Sequence, residues 1–84
     1  MRVHPSARRH GIADADALHA LRHVIASRRF DRDGNLARTL LVGPDRAGNL
    51  VEVVVLHMND GHDILIHAMR MRSPYHELLH PHGC

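Results

Sequence analysis

The sequence predicts an α+β fold with two N-terminal helices, a three- to four-stranded antiparallel sheet and a short C-terminal helix. Apolar residues recur at helical spacing near the N-terminus, turn residues separate β-branched segments, and a Ser-Pro pair precedes apolar residues near the C-terminus. Helices gathered on one side of an antiparallel sheet define this class. The 84 residues predict one domain, with a globular core over residues 4–79 and a flexible tail over residues 80–84.

The N-terminal part of the sequence predicts the two helices. The first covers residues 5–10, and Gly11 follows as a left-handed stop. The second lies in ADADALHALRHVIA, where Asp14 suits the N-cap position. Apolar side chains three and four residues apart predict one apolar helix face, made of Leu18, Leu21, Val24 and Ile25.

The middle of the sequence predicts the sheet. SRRFDRDGN is polar and turn-rich, with Phe30 as the anchor of a short edge strand. Further strands are predicted over residues 36–42, 50–58 and 62–69, joined by turns at GPDRAGN and Asn-Asp-Gly. In LVEVVVLHM the apolar side chains point to both sides, which places this strand at the sheet centre. Ser73 and Pro74 begin the C-terminal helix, and Pro81 ends it.

The composition argues against disulfide-stabilised, membrane-spanning and base-stacking proteins. Cys84 is the only cysteine, so no disulfide can form within the chain. The sequence has neither a membrane-length apolar run nor the apolar segment of a signal peptide, so we expect a cytoplasmic protein without membrane contact. All 11 basic residues are Arg, which binds phosphate in a bidentate manner, although a codon bias is the alternative explanation. Only Phe30 and Tyr75 are aromatic, which argues against a base-stacking platform.

Several segments together resemble the BrnT toxins, and most closely an actinobacterial group of BrnT-like toxins. ARRHGI before the amphipathic helix is similar to the Lys-His-Gly-Val opening of that family. LLVGPDRAGNLVEVVV is similar to its central hairpin, and ILIHAMRMR followed by Tyr75 to its closing strand and C-terminal helix. The resemblance covers about residues 4–79 and rests on the order and spacing of these motifs.

The resemblance implies a RelE-like fold and the toxin half of a type II toxin–antitoxin pair. Such a toxin is a small ribonuclease that inhibits translation, acting on free or ribosome-bound mRNA. Its implied partner is an antitoxin with a ribbon-helix-helix domain, in a heterotetramer with the toxin, and a homodimer is the other assembly considered. The family pattern ends its last strand with Ser-Ala-Arg, whereas this chain has His67, Ala68 and Met69. The Arg expected at position 69 is therefore missing.

The stretch DILIHAMRMR is the strongest candidate for a catalytic site. Metal-free RNA cleavage needs a base for the 2′-hydroxyl, an acid for the leaving 5′-oxygen and cations for the phosphorane charge. His67, Arg70, Arg72 and Tyr75 supply these residue types, and His10 can join them from the first helix. Each has a structural alternative: a strand-end histidine, a solvated arginine pair, a packed tyrosine and a histidine at a helix C-terminus.

The predicted RNA-binding residues are Arg9, Arg38, Asp45 and Arg46. Asp45 and Arg46 lie in a turn and are candidates to bind phosphate or a partner, although Asp after Pro is ordinary turn chemistry. Glu52 lies inside an apolar strand, where a carboxylate should be paired or at an edge. A strand Arg such as Arg38 is a candidate partner, and a role as general base with a raised pKa is the alternative.

Ten histidines raise the question of a metal site. His19 and His23 are four residues apart, with Asp16 three residues before His19, a spacing that can ligate Zn²⁺. No HExxH-type glutamate and no cysteine pair accompanies them, so we expect neither a metal nor another cofactor. The leading function is a toxin ribonuclease. The alternatives are a degenerate module that binds an antitoxin in a repressor complex and, more weakly, a His-rich metal-binding domain.

Overall fold

The computed structural model describes residues 1–30 and 37–71. The elements within these ranges are β1 (Arg2–Val3), a 3-10 helix (Pro5–Arg8), α1 (Asp14–Arg22), β2 (Ala26–Phe30), β3 (Arg38–Pro44), β4 (Leu50–His57) and β5 (Asp63–Arg70). The strands form one sheet in the order β1-β5-β4-β3-β2. β1 pairs with β5 in parallel, and all other neighbours are antiparallel. The described fold is a mixed five-stranded sheet with one α-helix.

The predicted fold class is wrong in its helices and in its sheet. The first predicted helix is a single 3-10 turn, because Pro5 at its start lacks an N–H and the chain turns away at Gly11, where φ is 77°. A segment this short cannot offset the cost of nucleating an α-helix. The sheet is mixed because β1 adds to it in parallel. The predicted C-terminal helix after Ser73 lies outside the described residues.

α1 ends at Arg22, four residues before the end of the segment that predicted it. Val24 and Ile25 are β-branched and favour extended backbone. The N–H of Ile25 already donates to Val42 O at 2.8 Å, so pairing with β3 begins there. Val24 and Ile25 lie beyond the end of α1 and are 38% and 55% exposed, so their assignment to the apolar face of this helix is wrong.

The N-terminus of α1 also differs from the prediction. Ala13 occupies the N-cap position without a side-chain hydrogen bond, and Asp14 lies in the first turn. Asp14 accepts hydrogen bonds from Arg8 at 3.1 and 2.9 Å, and these bonds lower the pKa of the Asp14 carboxyl. The acidic side chain stabilises the helix by its position near the positive end of the dipole rather than by capping.

One face of the sheet, hereafter the helix face, packs against α1 and the 3-10 helix. Its core is formed by alanine and branched aliphatic side chains: Ala7, Ala17, Val53, Val55, Leu65 and Ala68. Strand alternation directs the side chains of Glu52, Val54 and His67 to the opposite side, hereafter the Glu52 face. Apart from Ile66, which has no partner in the pairing of β4 with β5, the residues of β3, β4 and β5 are therefore assigned to one face by their register.

The central strand and the two hairpin turns are confirmed. β4 lies third among five strands, as the apolar residues on both of its sides predicted. The turn after β4 closes through Met58 N to His62 O at 2.8 Å, with Gly61 at a φ of 91°. The turn after β3 closes through Asp45 N to Asn49 O at 2.8 Å.

Within residues 1–30 and 37–71, no helix has the length and apolar character that crossing a membrane requires.

Gly43 tests the packing of α1 on the sheet. A Cβ at this position would lie inside van der Waals contact with the backbone carbonyl of Ala20. Gly43→Ala should therefore lower the free energy of unfolding by about 1–3 kcal/mol, because the helix must move away from β3. Denaturant titration measures this change.

Gly11→Ala is the matched control, since Gly11 has a φ of 77° and open space around it. It should cost about 1–2 kcal/mol through backbone strain alone, with the core packing unchanged. A Gly43→Ala protein as stable as the wild type would contradict the close approach of α1 to β3.

Candidate active site

The Glu52 face carries a buried carboxylate bonded to a histidine. Glu52 on β4 is fully buried, and its Oε1 lies 3.0 Å from Nε2 of His67 on β5. His67 keeps 27% of its side chain exposed. The imidazole therefore connects the interior with the surface. A carboxylate is retained in the interior only with such donors, because removing its charge from water costs several kcal/mol.

A bulge in β5 sets the direction of the His67 side chain. Val55 pairs with Leu65 and Val54 pairs with His67, so Ile66 is an extra residue in β5. Without the extra residue the alternation would direct position 67 to the helix face. Because of the bulge, His67 lies diagonally across from Glu52 on the same face.

His10 joins the pair from the end of the N-terminal segment. Its ring centroid lies 5.4 Å from that of His67, in an edge-on arrangement. Two bonds hold this segment against the bulge: the Ser6 hydroxyl donates to Ile66 O at 2.6 Å, and His4 N donates to Leu65 O at 2.9 Å. The structure thus brings together His10 and His67, two of the five predicted catalytic residues.

The bond to the Glu52 carboxylate determines which ring nitrogen of His67 can act as a base. An ionised Glu52 only accepts hydrogen bonds, so Nε2 of His67 carries the proton and Nδ1 keeps a lone pair. Nδ1 is then the ring nitrogen that is free to accept a proton from a substrate, as in other carboxylate–histidine pairs. The exposed His10 beside it can serve as the complementary acid.

Arg70 does not join the histidines. Its partner across the sheet is Val51, and it lies three residues after His67, so its side chain belongs to the helix face. Met69 pairs with Glu52 and shares the Glu52 face with His67. Position 69, where the resemblance places an Arg, is therefore on the site's side of β5. This strand pairing argues against the predicted catalytic role of Arg70, because it places the Arg70 side chain on the other face from His67.

The other predicted catalytic residues, Arg72 and Tyr75, lie outside the described residues. Arg9 directly precedes His10 and is exposed, so it is a cation near the histidine pair. Arg38 is exposed at the start of β3 and pairs with Phe30 and Leu56. It is four residues from Val42, which pairs with Glu52, so His67 rather than Arg38 is the partner that the sheet brings to that carboxylate.

Asp45 and Arg46 are engaged in bonds within the chain. Asp45 Oδ1 accepts the backbone N–H groups of Ala47 and Asn49 at 2.9 and 2.8 Å, which makes it a turn residue. Arg46 Nε donates to Asp16 Oδ1 at 2.8 Å and joins the turn to α1. The Arg46 guanidinium holds the pKa of the Asp16 carboxyl below its usual range. These bonds favour a structural role for both residues.

The predicted zinc ligands, Asp16, His19 and His23, are engaged in contacts other than a shared metal site. Asp16 accepts from Arg46, while His19 Nδ1 lies 2.8 Å from Pro44 O and its ring lies 4.4 Å from that of His23. Among the residues that the structure describes, no three His, Cys, Asp or Glu side chains are grouped so as to hold a metal ion.

Two features of the surface were missed from the sequence. Arg28 lies 5.4 Å above the ring of the exposed Phe30, and Arg38 pairs with Phe30 on the same face. The register aligns Arg28, Leu40, Val54 and His67 in one row across the Glu52 face, which places Arg28 roughly 14 Å from His67. The second feature is the His57–Asp63 pair, which flanks the Asn-Asp-Gly turn. The sequence signal that could have found the His57–Asp63 pair is the Asn-Asp-Gly turn, because residues on either side of a hairpin turn face each other.

In comparisons with known proteins, no family model, no curated protein and no solved structure matches this chain.

The burial of Glu52 predicts a stability effect at His67. His67→Ala removes a donor from a buried carboxylate and should lower the free energy of unfolding by about 3 kcal/mol. His67→Gln keeps an N–H donor at similar reach and should cost clearly less. Denaturant titration of both variants checks the order, and equal stability of His67→Ala and wild type would contradict the contribution of this bond.

The Asp16–Arg46 pair predicts a pKa change that NMR titration can measure. Arg46→Ala should raise the pKa of Asp16 toward its usual range, because its hydrogen-bonding cation is lost. Since the folded pKa is lowered, the pair's stabilisation is present above the ordinary Asp pKa and disappears as pH falls through the lowered value.

Arg8→Ala is the crossed control for this titration. It should raise the pKa of Asp14 and leave that of Asp16 in place, because Arg8 bonds Asp14. A shift of both carboxyls in either variant would indicate a general change in fold rather than loss of one pair.

Proposed function

We propose that this chain is a metal-independent endoribonuclease, the toxin component of a type II toxin–antitoxin module that acts in the cytoplasm. The observation that carries the proposal is the paired histidine site, with His67 held by the buried Glu52 and His10 beside it. Two imidazoles at one surface supply the base and the acid that RNA transesterification needs at neutral pH. The arginine-only basic composition is suited to a phosphate-rich substrate.

The proposed reaction assigns one proton transfer to each histidine. His67 Nδ1 takes the proton of a ribose 2′-hydroxyl as that oxygen attacks the adjacent phosphorus. The bond from phosphorus to the 5′-oxygen breaks, and protonated His10 gives its proton to the leaving oxygen. The products are a 2′,3′-cyclic phosphate and a 5′-hydroxyl, and the Glu52 charge stabilises the His67 imidazolium until it releases its proton.

The arginines have graded roles in this proposal. Arg9, next to His10 in the chain and exposed, is the candidate to neutralise the phosphorane. Arg28, Phe30 and Arg38 lie on the same face as His67 and suit the binding of single-stranded RNA away from the cleavage point. The resemblance to BrnT toxins supports a ribbon-helix-helix antitoxin as the protein partner.

Cleavage of a short single-stranded RNA by the purified chain tests the proposal. Wild type should cut it in the presence of EDTA and leave a 2′,3′-cyclic phosphate, and replacing the scissile ribose by 2′-deoxyribose should block the cut. His67→Gln should reduce the rate about 100-fold or more, because it keeps the bond to Glu52 but cannot accept a proton. His10→Gln should reduce it by a similar factor at pH values where the acid is required.

Arg70→Gln is the matched control, since Arg70 lies on the helix face and should leave cleavage near the wild-type rate. Induction of the wild type, but not of His67→Gln, should also arrest bacterial growth. Intact RNA and normal growth with a folded wild-type protein would reject the ribonuclease.

A second candidate function is a non-catalytic module that binds an antitoxin. Two observations favour it: Arg70 lies on the face away from His67, and the edge strand β2 presents exposed side chains. Ile25 and Phe30 are 55% and 42% exposed, beside Arg28, and this combination fits an acidic partner segment added as a further strand. Absence of RNA cleavage together with a stable complex with a neighbouring ribbon-helix-helix protein would select this function.

A further inference from the structure

The helix face carries a second chain of polar side chains, on the side of the sheet opposite to the Glu52–His67 pair. Thr39 Oγ1 lies 2.6 Å from His57 Nε2, and His57 Nδ1 lies 2.8 Å from Asp63 Oδ1. The His57 and Asp63 side chains are 28% and 46% exposed, so small molecules in solvent can reach the chain of bonds. The order hydroxyl, imidazole, carboxylate is that of an activated nucleophile.

The register of three neighbouring strands fixes these distances. His57 on β4 pairs directly with Asp63 on β5, and Thr39 on β3 pairs with Val55, two residues before His57. All three side chains therefore lie on one face, and Thr39 and His57 are diagonal neighbours. His57 N also donates to Ala37 O at 2.9 Å, which extends the ladder beside the site. A site built on paired strands is held more rigidly than one on loops.

The carboxylate orients the imidazole toward the hydroxyl. Ionised Asp63 accepts the proton on Nδ1, so neutral His57 presents the lone pair of Nε2 to Thr39, whose hydroxyl donates to it. The Thr39 hydroxyl is therefore hydrogen-bonded to a base, His57, and Asp63 holds that base in the required tautomer. Asp60 and His62 form a second exposed pair at 2.9 Å, and Asp60 Oδ1 also accepts the backbone N–H of His62 at 3.0 Å, so this pair belongs to the turn.

We propose that Thr39 is an acyl-acceptor hydroxyl, activated by His57 and Asp63, which takes an acyl group from activated esters or thioesters. As Oγ1 attacks the acyl carbon, its proton passes to His57 Nε2. The bond from the acyl carbon to the leaving oxygen or sulfur breaks, and the leaving group departs with the electron pair. The imidazolium then gives its proton to the leaving group, so an acyl-threonine and an alcohol or thiol result.

The product is a stable modification rather than a turnover intermediate. β3 pairs with β2 and with β4 on either side of Thr39, so the strand amides around it serve the sheet ladders. Deacylation must expel the threonine alkoxide, a much poorer leaving group than that of an activated ester or thioester, and amides bonded within the sheet do not supply oxyanion donors that would assist it. One acyl group per chain is therefore the expected stoichiometry.

Acetylation by p-nitrophenyl acetate at pH 8 tests the proposal, in a Cys84→Ser background that removes the thiol. Nitrophenolate release gives the rate, and peptide mapping by mass spectrometry gives the acetylated residue. One acetyl group should appear on Thr39. His57→Gln should slow its appearance about 100-fold, and Asp63→Asn should slow it by a smaller factor. Thr39→Ser should retain the reaction, and Thr39→Val should abolish the stable adduct.

His62→Gln is the matched control, because it removes the neighbouring exposed histidine–carboxylate pair without touching Thr39. It should leave the rate of Thr39 acetylation at the wild-type value. Circular dichroism melting of each variant establishes that it is folded. An unmodified Thr39 in folded wild type, or equal acetylation rates in His57→Gln and wild type, would overturn the proposal.

Discussion

The burial of the Glu52 carboxylate at the centre of the sheet is the constraint on which the pairing of β3, β4 and β5 depends. A slip of β4 by one residue would turn Glu52 toward the helix face, among Ala17, Leu65 and the other core residues, where it would lose the donor that His67 provides. The bulge at Ile66 satisfies the same constraint from the other strand, because it directs the imidazole to the carboxylate's side. The hydrogen bond and the bulge therefore specify one register.

α1 packs close to the sheet because the residues at their contact are small. α1 presents Ala17 and Ala20 to the sheet, and Gly43 lies beneath Ala20, so the helix backbone comes close to β3. Close approach raises the dispersion contacts of each buried atom, which matters in a chain whose small size limits the area it can bury. The larger polar groups lie elsewhere: the His57–Asp63 pair is at the strand ends, and the Glu52–His67 pair is on the opposite face.

The sequence carried enough information for β3, β4, β5 and both hairpins, because β-branched runs and turn residues act locally. It did not reveal β1, whose two residues become a strand only by pairing with Ile64 and Leu65, more than sixty positions away. The helix boundary failed because Val24 and Ile25 fit the helical period, while their β propensity and the pairing of Ile25 with Val42 prevailed. At the site, His67 and His10 were predicted, and the three-residue spacing already places Arg70 on the opposite face from His67. The bulge at Ile66, for which the sequence has no local signal, decides that His67 rather than Arg70 shares the face of Glu52.

Among the described residues, three histidine–carboxylate pairs lie in or next to the hairpin of β4 and β5, and they differ mainly in burial. In the Asp60–His62 pair both side chains are more than half exposed, so water screens the charges and the bond constrains little. In the His57–Asp63 pair the imidazole is largely covered, and its second nitrogen is bonded to a hydroxyl. In the Glu52–His67 pair the carboxylate has no exposed surface, so its charge acts on the imidazole through a medium of low polarity. Burial of the carboxylate increases in that order, and the proton-transfer chemistry is assigned to the two more covered pairs and not to the exposed one.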